Sequence, residues 1–189
     1  MSSLTSKERE AVAIAAAIGT GCRPCTQYHV KAGLKADLSE DQVRQVICEA
    51  EALRIHAATG VADFARRLLG GGEESDVPLC SPSEPLQALA QVGAAAGGNA
   101  GHILNWLLPQ ARGLGLSNEA LTEGVELAGM VKKMAAEFFR KDAERALGNE
   151  AVVSGVAGDA SCLQVPGASE SCAGAPGAEA AQPAPAKCC

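Results

Sequence analysis

A chain of 189 residues has room for one compact domain or two small ones, and its 47% apolar content with only 3% aromatic favours close-packed, alanine-rich helices over sheets. The formal charge of −6 argues against a nucleic-acid partner, because phosphate-backbone affinity comes chiefly from clustered Lys and Arg and the basic residues here are scattered. Residues 1–10, MSSLTSKERE, hold no basic segment leading into an apolar core, and no apolar run reaches the roughly eighteen residues that span a bilayer; the expectation is a soluble, cytoplasmic protein without a membrane partner.

Thr5 followed by Glu8 has the form of a capping box, and the helix formers from Lys7 to Ile18 predict a first helix that Gly19 stops. Gly19 and Gly21 predict a turn, and Pro24 suits the first turn of a second helix over about 22–35, where its missing N–H costs nothing. Leu38, Ser39, Gln42 and Val43 combine a hydrophobic staple with a capping box. They open a third helix in which Val43, Val46, Ile47, Ala50 and Leu53 follow helical spacing, and which can run past Gly60 to Leu69 before Gly70 to Gly72 end it.

The segment GGEESDVPLCSPS, residues 71–83, reads as an exposed linker, after which the earlier pattern returns. Shifting by 78 residues pairs Leu38 with Leu116, Gly19 with Gly97 and Gly70 with Gly148. Two tandem copies of one helical unit are therefore expected, with a chance match between alanine-rich helices as the alternative. The same shift carries Cys22, Cys25 and His29 onto Ala100, Ile103 and Leu107, so the second copy is degenerate and one active site per chain is expected. The resulting organisation is a first unit at 1–72, a linker at 73–83, a second unit at 84–149 and a tail at 150–189. The tail, rich in Ala, Gly, Pro and Ser without periodicity, is expected to be disordered.

Eight cysteines without an export signal point to a reducing compartment, where thiol chemistry matters more than bracing. Cys22 and Cys25 form a C-x-x-C motif with His29 four residues on, while Cys48 and Cys80 stand alone, Cys48 reading as a small buried residue. On a helix, positions 22, 25 and 29 share one face. A c-type haem needs its histidine directly after the second cysteine, where Thr26 stands. Structural zinc usually takes a second ligand pair that the folded part lacks, and a thioredoxin-type motif belongs to alternating strands and helices, which this sequence does not show; zinc nevertheless stays open. A redox dithiol on a helical scaffold fits best. The helix N-terminus favours ionisation of Cys22, and His29, one turn on, favours Cys25, so the attacking sulfur is undecided. The pair can also be two small buried hydrophobes.

The stretch from Glu10 through AVAIAAAIGTG to Cys22, RP, Cys25, TQY and His29 resembles the AhpD-like branch of the carboxymuconolactone decarboxylase superfamily. That branch carries a glutamate twelve residues before a C-x-x-C-x-x-x-H motif, matched here by Glu10, Cys22, Cys25 and His29. The resemblance covers residues 4–70 well and 84–148 more loosely. It implies an all-α, AhpD-like fold, a homotrimer of two-repeat chains, and a thiol peroxidase or disulfide reductase with no bound cofactor. Its substrate is then a hydroperoxide or a disulfide, and its reductant a lipoyl-type or thioredoxin-type dithiol. It also implies that Glu10 and His29 relay protons to the cysteines; from the residues alone, Glu10 can equally be an exposed partner of the helix dipole. Tyr28, His56 and His102 receive no chemistry. In the tail, Cys188 and Cys189 can exchange with the helical pair, bind a soft metal or metalloid such as arsenite, or stay passive. A cofactor-free decarboxylase of the same fold is the remaining alternative, in which Glu10 and His29 act as acid and base.

Overall fold

The computed structural model describes residues 3–71 and 79–148, and these fold into six α-helices with no strand among them. Thr5 caps α1 (Ser6–Thr20): its side chain accepts the Glu8 N–H while the Glu8 carboxylate accepts the Thr5 N–H, closing the capping box. The helix runs through Gly19, the expected stop, and ends instead at Gly21, whose left-handed φ of 74° lets its amide reach the carbonyls of Ala17 and Ile18. A glycine inside a helix costs only about 1 kcal/mol, so Gly19 alone cannot end one. α2 (Arg23–Lys35) and α3 (Glu40–Leu68) follow, the latter opened by the predicted box of Ser39 and Gln42. Then come α4 (Pro85–Gly97), α5 (Gly101–Gly113) and α6 (Asn118–Ala146).

The second three helices repeat the first in register. α2 and α5 begin at 23 and 101 and end at 35 and 113, and α3 and α6 begin at 40 and 118 and end at 68 and 146, a shift of 78 at each of these four boundaries; α1 and α4 are offset by 79 at their starts, 6 and 85, and by 77 at their ends, 20 and 97. Left-handed residues recur at the same shift, Gly21 with Asn99, Asp37 with Gly115 and Gly70 with Gly148. Asn and Asp tolerate this conformation better than other side chains, which is why two of the six positions need no glycine.

The units are not separately cored. α1 and α4 cross at the centre through buried small residues, Ala11 to Ala17 against Ala88 to Ala95. Their backbones touch: a Cβ on Gly19 would lie 2.5 Å from the Ala94 carbonyl oxygen, and one on Gly97 would lie 2.6 Å from that of Ala16. These two contacts interchange under the 78-residue shift, as an approximate twofold between the units requires. Larger side chains from the flanking helices, among them Leu53, Val46 and Leu107, close the core around the crossing. The long helices α3 and α6 leave apolar residues exposed toward their ends, including Val61, Phe64, Met134 and Phe139. No helix among the described residues is long and apolar enough to cross a membrane.

Candidate functional site

The turn between α1 and α2 sets the cysteine pair. Gly21 reverses the chain, the Cys22 amide donates to the Ala17 carbonyl at 3.0 Å, and Cys22 then adopts extended backbone as the N-cap of α2. Its sulfur thus takes the place that a Ser or Asp oxygen usually fills, accepting the Cys25 N–H at 3.2 Å. This corrects the expectation that positions 22, 25 and 29 share a helical face, because Cys22 precedes the helix and reaches Cys25 as a cap. The two sulfurs are bonded, with Cα atoms 5.3 Å apart. Thr26, which displaces the haem histidine, hydrogen-bonds the Cys22 carbonyl through its hydroxyl at 2.9 Å and so stiffens the cap.

Because α2 folds back along α1, a residue well before the turn meets one well after it. Glu10 Oε2 and His29 Nδ1 lie 2.9 Å apart, both partly shielded, with side-chain exposures of 25% and 18%. The glutamate is therefore paired with the histidine rather than serving as a surface partner of the helix dipole. Tyr28 meets the His29 ring edge-on at 5.0 Å but is itself 68% exposed, so it belongs to neither the core nor the site.

The second unit completes the surroundings. Cys22 and Cys25, 8% and 5% exposed, pack in one apolar cluster with Ala13, Ala16 and Ala17 of α1 and with Ala128, Val131 and Phe138 of α6. A pocket of about 520 Å³ opens beside Cys22, lined also by Gly98, Asn99, Lys132, Phe138 and Phe139. Cys25, Glu10 and His29 do not line it, so only one sulfur-bearing residue of the pair fronts the pocket. Lys132 Nζ donates to Asn99 Oδ1, which fixes the ammonium at the pocket wall. Sequence reasoning missed this wall. The available signal was compositional, since two of the chain's three phenylalanines stand together at Phe138 and Phe139.

Ala100, Ile103 and Leu107, which the 78-residue shift matches to Cys22, Cys25 and His29, are 3%, 3% and 0% exposed and belong to the core. His56 on α3 and His102 on α5 do not line the Cys22 pocket. The reading of Cys48 and Cys80 as isolated residues is corrected, since each is disulfide-bonded and half-buried. Among the described residues no group of three or more His, Cys, Asp or Glu side chains is arranged to hold a metal ion. Cys188, Cys189 and the expected disordered tail lie outside the described residues.

Residues 2–66, which contain Glu10, Cys22, Cys25 and His29, match the sequence model of the carboxymuconolactone decarboxylase family. No curated protein matches the chain significantly, and no solved structure does. Over these residues the first unit is similar to that family, and the all-helical fold of the described residues is consistent with the likeness.

Proposed function

We propose that the protein is a thiol-dependent oxidoreductase of the AhpD-like kind, cycling Cys22 and Cys25 between dithiol and disulfide to reduce hydroperoxides or partner disulfides. The observation that carries this reading is the bonded cysteine pair at a pocket mouth, with the Glu10–His29 pair on the same two helices. Reactive thiols need a stabilised thiolate and access, and Cys22 has both. Its sulfur accepts a backbone N–H at the positive end of α2, and its residue lines the pocket.

In this reading the Cys22 thiolate attacks the terminal oxygen of a hydroperoxide; the O–O bond breaks, the alkoxide takes a proton, and Cys22 becomes a sulfenic acid. Cys25 gives its proton to His29 and attacks that sulfur as thiolate; the S–O bond breaks, the disulfide forms, and the expelled hydroxide takes the proton back to leave as water. An external dithiol restores the pair, supplying two electrons and two protons through a mixed disulfide on Cys22. Glu10 holds the His29 ring through Nδ1, leaving Nε2 to exchange a proton near the second cysteine, four residues back on α2. The decarboxylase alternative leaves the two sulfurs without a task.

With dithiothreitol or dihydrolipoamide as donor, Cys25→Ser should abolish peroxide consumption, while Glu10→Gln and His29→Ala should slow it. Unchanged rates in all three variants would reject the mechanism. The same reading includes trimers of two-unit chains, in which apolar residues such as Val61 and Phe64 become covered. Light scattering of the native protein decides this, and a monomer at micromolar concentration rejects it.

A further inference from the structure

The chain holds a second set of oxidised cysteines away from the Cys22 pocket. Cys48 on α3 and Cys80, on irregular backbone ahead of α4, are each disulfide-bonded. A polar cluster joins their neighbourhoods. Gln91 Nε2 on α4 donates to Glu49 Oε2 at 2.7 Å and to the Cys80 carbonyl at 3.1 Å, and Gln45 Nε2 donates to Glu49 Oε1 at 2.7 Å. Glu49 directly follows Cys48, and both Glu49 and Gln91 are buried, at 8% and 2% exposure. Two acceptors of one nitrogen at these distances lie within about 6 Å of each other. The Cys80 carbonyl is thus held beside the carboxylate of Glu49, the residue that follows Cys48 on α3.

We infer that Cys48 and Cys80 are bonded to each other, and that they form a second, reducible dithiol–disulfide couple independent of Cys22 and Cys25. Closed, the couple fastens the backbone at Cys80, just ahead of α4, onto α3. Both cysteines are half-buried rather than enclosed, so a small thiolate reaches them. The buried Gln91 Oε1 has no hydrogen-bond partner. A disulfide has no proton to donate, whereas reduction introduces two S–H donors into this cluster. The ligand class is a small dithiol. Its thiolate attacks one sulfur and forms a mixed disulfide, its second thiol then closes a ring on itself, and two electrons and two protons pass to Cys48 and Cys80. None of this rests on the function proposed for Cys22.

The pairing is tested on the native protein by blocking free thiols with iodoacetamide, digesting with trypsin without reduction, and mapping linked peptides by mass spectrometry. The expected product joins peptide 45–54, which carries Cys48, to peptide 68–112, which carries Cys80. A link from 45–54 to 146–187, or an alkylated 45–54, overturns it. Reducibility is tested by titrating the native protein with dithiothreitol and following alkylation of peptide 45–54. The midpoint should be the same, to within about twofold, in the wild type and in the Cys22→Ser, Cys25→Ser variant. Resistance of the link to about a hundredfold excess of dithiothreitol overturns the reducible couple. Absence of the link in the double variant overturns its independence.

Discussion

The two sets of three helices share their boundaries in α2 and α5 and in α3 and α6, yet carry opposite side-chain character. α2 opens on Cys22, whose sulfur caps the helix, whereas α5 opens at the matching position on Ala100, with no side-chain cap. Cys25 and His29 are answered by Ile103 and Leu107, and Glu10 by Ala88, all buried and apolar. The second set of helices therefore forms without these polar residues; the α1–α4 crossing and the caps hold both units, and the Glu10, Cys22, Cys25 and His29 group stands in one of them. Freed of that task, the second unit supplies the wall of the first unit's pocket through Asn99, Lys132 and Phe138.

That contrast can be broken first at the sulfurs. Cys22→Ser or Cys25→Ser should reduce dithiol-dependent peroxide turnover to background, whereas Ala100→Ser should leave it near the wild-type rate in the same assay. At the crossing, where the units are equivalent, Gly19→Val and Gly97→Val should each cost about 3 kcal/mol in urea unfolding, because a Cβ there meets backbone that has nowhere to move. Unequal losses from the two would show that the twofold does not extend to the energetics.

Transplanting the cysteines sharpens the comparison. An Ala100→Cys, Ile103→Cys variant should form a disulfide in the second unit, since the α2 and α5 boundaries match, yet add no turnover because Ala88 and Leu107 stand where Glu10 and His29 pair in the first. Non-reducing peptide mapping and the peroxide assay read the two halves of that expectation. Removing part of the wall has a smaller effect: Phe138→Ala should speed reduction of the Cys22–Cys25 bond by dithiothreitol several-fold and cost stability, since the ring packs against the apolar cluster that holds both cysteines. Smallest is the difference at the caps. Ser39 sits in a full capping box with Gln42, while Ser117 faces Ala120 and has only its own bond, so Ser39→Ala and Ser117→Ala should each cost about 1 kcal/mol. A loss at Ser39 smaller than at Ser117 would mean that the Gln42 side chain sustains the cap alone.

Much of the fold was legible because helix ends are written locally. Thr5 with Glu8, Ser39 with Gln42, and the glycines at 21, 70 and 148 act on their own turns, and the 78-residue recurrence follows from them. Glu10, Cys22, Cys25 and His29 were also readable, since antiparallel neighbours joined by a tight turn are close in sequence as well as in space. Gly19 misled because a helix tolerates one glycine, and Cys22 misled because its place was a cap rather than a helical position.

What lay beyond reach depends on contacts between residues far apart along the chain. Glu49 and Gln91 are 42 residues apart, and the Cys22 pocket is closed by residues more than a hundred positions away. The sequence by itself determined the helices, their repetition and the kind of atoms at the turn between α1 and α2, since caps, glycines and side-chain chemistry act within a few residues. Tertiary structure alone decided that α6 walls the pocket, that Cys22 rather than Cys25 fronts it, and that Cys80 is held beside Glu49. The physical reason is that packing two alanine-rich helices into direct contact fixes where every flanking helix must lie, and no local pattern records that distance.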